Sequence, residues 1–344
     1  MMNSMERVMT SLSYKEPDRV PIFFNLTITG AKELGMSIKD YYSSADYVVK
    51  GQLLMKNKYN NDMVTSFLYS AAEIEAWGGG VVFFEDGPPN SGEPFIKKNE
   101  DIYKMGIPDI NNTDCLLKGL EITKRLKEQV KEDTPVIGAV TSPFSLPVMQ
   151  MGFEKYLELL YFNKNGFNQL MEINEEFCVA WANAQLKAGA TAISYADPLA
   201  SPSIIERNTY ISTGFEVAKR TIARIKGPVA TNLASGIASP IIKDLVETGT
   251  KAVAVSAKDN IVDIKRMANK NVAIIGNLNA IDMINWDREK TRREVIQLIQ
   301  KAAQGGGFIL SDNHGEIPWQ VSEDVLLEIA ETVKEYGTYP IQAE

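Results

Sequence analysis

Eight short apolar runs, set apart by helical stretches, constrain this chain more than any other feature. Six lie in its later part: VIGAVTSP (136–143), AISYADP (192–198), VATNLASG (229–236), AVAVSAKD (252–259), VAIIGNLNA (272–280) and GFILSDNH (307–314). Amphipathic helical segments separate them, for example GFNQLMEINEEFCVAWANAQLKAG. Near-continuous apolar strands alternating with helices predict a parallel sheet covered by helices. VPIFFN (20–25) and DMVTSF (62–67) bring the count to eight. Eight βα units in 344 residues predict an α/β fold of the closed (β/α)8 TIM-barrel type. An open doubly wound sheet is the alternative, but no GxGxxG follows the first strand and no P-loop is present.

The expected organisation is one barrel domain over residues 1–344. A helical extension at Met5–Tyr14 precedes it, and Ala31–Lys58 reads as an interrupted helix with Ser44 as a cap. The segment near 70–95 carries three glycines and the turn-forming GPPNSGEP, so it is expected to leave the main sheet. A net charge of −8 lacks the basic footprint of a nucleic-acid binder. No apolar run nears the ~20 residues of a membrane helix. The first 21 residues hold no apolar leader core, so a cytoplasmic protein is expected. Cys115 and Cys178 form no CxxC, which argues against a thiolate metal site or a disulfide framework.

The later strands each stop at polar residues: Thr141 and Ser142, Tyr195 and Asp197, Asn232, Lys258 and Asp259, Asn277 and Asn279, Asp312 and His314. In a barrel these ends converge on one face, where the active site sits. Asp259 and Asn279 also read as helix caps. His314 is the single histidine of the chain, and Gly315, Glu316, Ile317 and Pro318 part it from the next helix, so capping does not explain it. His314 and Asp197 are therefore the catalytic candidates. Asn25, Tyr195, Asn232, Asn277 and Asp312 are the substrate-binding candidates. Phe23, Phe24, Phe144, Tyr195 and Trp319 would suit an aromatic substrate, although each also reads as core.

Five segments in order, ERVMTSLSYKEPDRVPI, PVIGAVTSPFSLPVMQMGFEKYL, AQLKAGATAISYADPLAS, VAIIGNLNAIDM and the closing NHGEIP, resemble the uroporphyrinogen decarboxylase superfamily. That superfamily also holds the cobalamin-dependent methyltransferases. The resemblance implies a uroporphyrinogen decarboxylase-like barrel with its pocket at the strand C-termini. The decarboxylase branch carries an RQAGR-type arginine motif after its first strand; here FFNLTITGAKELG has no arginine. A polycarboxylate substrate needs such charge pairing.

The methylcobamide:coenzyme M branch places zinc on a His-x-Cys pair after the fifth strand and a Cys after the eighth. Here Asn232 and Ala234 stand at the first two places and His314 near the third. The resemblance therefore implies the demethylating side. A small methylated donor, methoxyaromatic or methylamine, would pass its methyl group to the Co(I) corrinoid of a partner protein. The resemblance implies one of two devices at the departing atom: zinc, with His314 as a ligand alongside carboxylates such as Asp197, Asp312 or Glu316, or a metal-free acid. A lyase of this fold, a methylcobamide:thiol methyltransferase and a catalytically silent binding module are the competing readings.

Overall fold

The computed structural model describes residues 2–312 and 315–342. Eight parallel strands form one sheet: β1 (Ile22–Phe23), β2 (Val64–Thr65), β3 (Val136–Thr141), β4 (Ala192–Ala196), β5 (Val229–Asn232), β6 (Ala252–Ala254), β7 (Ala273–Leu278) and β8 (Phe308–Asp312). Each pairs with its neighbour in chain order from β2 and β3 round to β7 and β8, and β8 pairs with β1. The sheet curls into the (β/α)8 barrel that the apolar rhythm predicts. Helices follow the strands and cover the outside; the longest, Lys164–Ala188, starts on the Asn163 side chain, which accepts from the Gly166 N–H at 2.9 Å.

Side chains complete the barrel where strand pairing runs out. At the β1–β2 seam the Asp62 N–H donates to the Ile22 carbonyl at 2.9 Å. The Asn61 amide side chain accepts from the Phe24 N–H (3.1 Å) and donates to the Phe24 carbonyl (3.0 Å). The Asp62 carboxylate accepts the Ile22 N–H and ion-pairs Arg7 at 2.7 Å and Arg19 at 2.8 Å. At the β2–β3 seam the ladder ends with the Ser66 N–H, which donates to the Ile137 carbonyl at 2.9 Å. The Gln185 side chain then accepts from the Ala139 N–H at 3.0 Å and donates to the Ala139 carbonyl at 2.9 Å. One turn further on, the Glu73 carboxylate accepts the Thr141 N–H at 3.0 Å. These substitutions satisfy backbone groups that a missing ladder would strand.

The helix α1 (Ser4–Leu12) closes the end of the barrel where the strands begin. Val8 is buried with Met63 and Ile309, and Leu12, Phe23, Ile137 and Ile275 pack on that cluster. Ser11 donates its hydroxyl to the Phe308 carbonyl at 2.7 Å. The glycines before β8 have their reason here. Gly306 and Gly307 sit at φ +68° and +69°, and a Cβ on either would strike Lys15 or Tyr14. Only glycine lets β8 start so close to the end of α1.

Some local expectations change. The Ala31–Lys58 helix is three helices, Thr29–Glu33, Ile38–Tyr41 and Ala45–Lys58. Gly35, at φ +64°, ends the first approach, and Ser37 and Ser44 cap the next two. The strand expected at 62–67 shrinks to Val64–Thr65 because Gln185 and Glu73 replace its upper partners. Within 70–95, Val81–Val82 and Asn90–Ser91 pair antiparallel as a separate two-stranded hairpin.

Candidate active site at the barrel mouth

Strand side chains alternate between faces, and here the two faces differ in burial. Ile193 and Tyr195 of β4 are fully buried, while Ala192, Ser194 and Ala196 are half-buried. The same alternation leaves Ile137 and Ala139, Ala230 and Asn232, Ala254, and Ile275 and Asn277 half-buried. Phe23 and Asn25 continue it on the first strand. Phe23, Ile137 and Ile275 pack on the α1 plug, so this half-buried set faces the interior. The interior is a funnel stoppered below by α1 and open at the strand C-termini. Its upper wall is made of small residues and amides.

Register places three of those amides at one level. Asn232 pairs with Ala254, and Ala254 with Ile275. The shear of an eight-stranded barrel raises each successive strand by about one residue. Two strands on from Asn232, the same level is therefore Asn277 rather than Ile275. Asn277 pairs with Ser311 and Ser311 with Phe23, so two strands further it is Asn25. In the other direction Asn232 pairs with Ala196 and Ala196 with Thr141, which brings Ala139 into the same layer. Asn25, Ala139, Asn232 and Asn277 thus form one four-membered layer from alternate strands.

Local bonds fix how each amide is turned. The Asn232 Oδ1 accepts the Ala234 N–H at 2.8 Å. The Asn277 Nδ2 donates to the Ser256 carbonyl (2.9 Å) and the Asp259 carbonyl (3.2 Å). The Asn25 Nδ2 donates to the Gly315 carbonyl, and the Ile317 N–H donates to the Asn25 carbonyl at 3.2 Å. The Asp312 carboxylate accepts the Gly315 N–H at 3.2 Å. Glu316 accepts from the Thr27 hydroxyl and, at 2.8 Å, from the Ile28 N–H. Desolvation pushes the Glu316 carboxyl up to about 7, and Asp312 nearby adds to the rise.

The register sets Asn25, Asn232 and Asn277 in one layer of the inner face, whereas Asp312, buried at the end of β8, has the parity of the outward Phe308 and Leu310. Two other candidates are corrected. Tyr195 shares the face of Ile193 and packs with Phe177, Cys178, Trp181 and Ile222 beneath the helices, so it does not line the funnel. Asp197 follows it, buried, and accepts from the Ser142 and Ser145 hydroxyls at 2.6 Å each. It ties the loop after β4 to the loop after β3. Burial raises its carboxyl to about 6. His314 lies outside the described residues, and so do its catalytic and metal assignments. Of the two expected caps, Asn279 accepts from the Ile281 and Asp282 N–H groups. Asp259 does not cap the helix at 261, a place taken by Asn260; it accepts from Ala238, Ser239 and Ser256 and joins the loops after β5 and β6.

Sequence reasoning passed over Glu73, which lies in a short acidic helix and carries no motif. Burial holds its carboxyl up at about 7, against 4.5 when exposed. A cavity of about 20 Å³ beside it, lined also by Ser66, Tyr69, Cys115 and Gln185, has room for one water. Because the folded state holds this proton more tightly than the unfolded chain, the sign is fixed. Stability is greatest below pH 4.5 as far as this group is concerned, and falls as pH rises towards 7. Glu73→Gln keeps an acceptor for the Thr141 N–H and removes the ionisation. The variant is expected to gain on the order of 2–3 kcal/mol over wild type at pH 8 and to match it near pH 4.5. Urea denaturation at both pH values measures this; a constant difference between them would show that Glu73 does not titrate there.

The described side chains at the mouth do not fit a thiolate zinc site. Asn232 and Ala234 hold the places after β5, and the Asn232 Oδ1 is already occupied by a backbone N–H. Among the described residues, no three His, Cys, Asp or Glu side chains gather closely enough to hold a metal ion.

The sequence profile of the uroporphyrinogen decarboxylase (URO-D) family matches residues 3–336. The chain belongs to the uroporphyrinogen decarboxylase family. Relatives of two kinds are among its matches. It is 24% identical over 213 residues to the methylcobamide:CoM methyltransferase MtaA of Methanosarcina barkeri, covering 61% of each chain. The match thus spans about three fifths of that relative's length. It is 23% identical over 343 residues to the uroporphyrinogen decarboxylase of Protochlamydia amoebophila, covering 96% of this chain and 92% of the other. A solved methyltransferase from Methanosarcina mazei superposes with a TM-score of 0.84 at 18% identity over 98% of this chain and 99% of its own, which establishes the shared barrel fold. No helix among the described residues of this family member is long and apolar enough to cross a membrane.

Proposed function

We propose that this chain is a corrinoid-dependent methyltransferase that moves a methyl group from a small methylated donor to the Co(I) corrinoid of a partner protein. A methoxyaromatic donor is favoured over a methylamine. The observation that carries this reading is the mouth layer of Asn25, Ala139, Asn232 and Asn277 above a funnel of small, uncharged residues. Binding a porphyrinogen with many carboxylates calls for arginine or lysine at the wall, and the inward strand positions carry neither. Delivering a thiol from zinc calls for thiolate ligands, and the places after β5 hold Asn232 and Ala234. A methyl donor asks only for shape, orientation and a polar contact at the departing atom.

The partner's Co(I) corrinoid supplies the nucleophile. The barrel's own work is to hold the donor with its methyl group towards the open end, to keep water from the narrow interior and to contact the departing heteroatom through the amide layer. Similarity to the methylcobamide:CoM methyltransferase supports the methyl-transfer side of the family. The test is methyl transfer from methoxyarenes, methylamines and methylthiols to a Co(I)-corrinoid protein, followed by loss of the Co(I) absorption band. Donor-dependent loss of Co(I) is the expected result. Decarboxylation of a porphyrinogen with no methyl transfer would replace this reading with the lyase one.

A further inference from the structure

We propose that the buried oxygen cluster around Asp197 binds a monovalent alkali cation, which fastens the loop after β4 to the loop after β3. Asp197, Ser142, Ser145, Tyr156, Tyr195 and Tyr210 make up the cluster, and none of them is more than 4% exposed. The inference is independent of the methyl-transfer reading. It concerns what holds the barrel rim together.

Asp197 is a buried carboxylate with no counter-charge. Burial penalises an ionised carboxylate unless a cation pairs with it. Among the described residues no lysine or arginine does so; the side chains that favour its charged form are Ser142 and Ser145. Both hydroxyls donate to one oxygen, Oδ1, at 2.6 Å each. The Oδ2 atom accepts from no described residue. The serines are themselves fixed: the Ser142 Oγ accepts the Ser145 N–H at 2.9 Å, and the Ser145 Oγ accepts the Leu199 N–H at 3.1 Å.

The second observation is a set of three phenols. The hydroxyls of Tyr156, Tyr195 and Tyr210 are buried and have no hydrogen-bond partner among the described residues. All three surround the same carboxylate. The Phe144 ring, in the turn between Ser142 and Ser145, packs edge-on to Tyr156 at 6.1 Å and tilted against Tyr210 at 6.2 Å. Tyr195 precedes Asp197 by two positions and shares its face of the strand. Burial first, and then the charge of Asp197, push all three phenols well above their ordinary range, so they stay neutral. Buried hydroxyls are seldom left unpaired, and three around one carboxylate point to a shared partner.

The chemistry of the donors names the class of that partner. One carboxylate oxygen and three phenol oxygens make an oxygen-only set, which suits a hard cation and not zinc. The set carries one negative charge. A single positive charge balances it, whereas a divalent ion would leave net charge buried and normally gathers more carboxylates. A water molecule would meet the hydroxyls and leave the carboxylate unbalanced. A cation held between the Asp197 side of the cluster and the Ser142–Ser145 turn stabilises the folded chain by mass action.

Urea unfolding of the full chain tests the site, with KCl or NaCl exchanged for choline chloride at constant ionic strength. The measurement is made at about pH 8, above the Asp197 carboxyl at about 6. The expected result is a folding constant that rises about tenfold for each tenfold rise in K⁺ or Na⁺ above its Kd. The salt giving the larger rise identifies the ion. Equal unfolding in the three salts overturns the proposal and leaves water or a proton as the partner of Asp197. Asp197→Asn keeps Oδ1 for the two serines and removes the charge, so it is expected to abolish the cation response. Tyr210→Phe covers the case in which that variant does not fold. It deletes a hydroxyl with no partner in the described chain, so in choline chloride it is expected to be at least as stable as wild type. Its apparent affinity for the cation is expected to fall at least roughly tenfold. A wild-type cation response in Tyr210→Phe, or in folded Asp197→Asn, overturns the proposal.

Discussion

Asp62→Ala is expected to destabilise the fold by about 3–5 kcal/mol, the range for removing one partner of a buried ion pair. Asp62 is 1% exposed and occupies the β1–β2 seam. Its carboxylate serves Arg7, Arg19, the Ser4 hydroxyl and the Ile22 N–H together. Alanine leaves Arg7, itself buried and otherwise ion-paired with Asp18, short of a counter-charge, and it strands the Ile22 N–H at a seam where the two strands share no ladder. Asp62→Asn should cost less, because it keeps an acceptor for Ile22. Urea unfolding of the two variants checks the order. A loss under 1 kcal/mol for Asp62→Ala would mean that the seam is held by Asn61 alone.

Ala254→Phe is expected to lower methyl transfer by at least roughly 10²-fold while the chain still folds. Ala254 is half-buried on the inner wall, between Asn232 and Asn277, so a ring there enters open space rather than the packed layer under the helices. It would displace a donor by more than an ångström from the amide layer, and misplacement of that size costs about two orders of magnitude. The control is Val253→Ala on the outward face, which is fully buried in the core. That change should lower stability by about 1–2 kcal/mol through lost burial and leave kcat/KM close to wild type at temperatures where it is folded. Unchanged turnover in Ala254→Phe would move the site away from the funnel.

The barrel was legible because eight apolar runs with helices between them allow few other solutions, and β3 to β8 fall within the runs that announced them. The seams were not legible. Gln185 stands in for a strand at Ala139 and Glu73 does so at Thr141, across 46 and 68 positions of sequence. No local pattern marks a side chain that will act as backbone. The site was half legible. Asn25, Asn232 and Asn277 were chosen because they end strands, and the register then set them in one layer. Tyr195 and Asp197 were chosen for the same reason and fell on the other face. The period of two along AISYAD shows why: Tyr195 and Asp197 share the parity of Ile193, the outward residue. Parity, not polarity, decides which strand-end side chains meet in a barrel.

Under the methyl transfer proposed above, the α1 stopper would set the order of events during turnover. A tube closed at its foot has a single doorway, and on that proposal the donor, its demethylated product and the partner's corrinoid would all share it. Val8 and Leu12 bar any back exit for the spent molecule. A donor would then enter before the partner docks, and its remnant would wait until the partner departs. Turnover in such a vessel is a strict queue: donor in, partner on, partner off, product out. Every cycle then includes two separations of protein from protein and small molecule that no improvement in the chemical step can shorten.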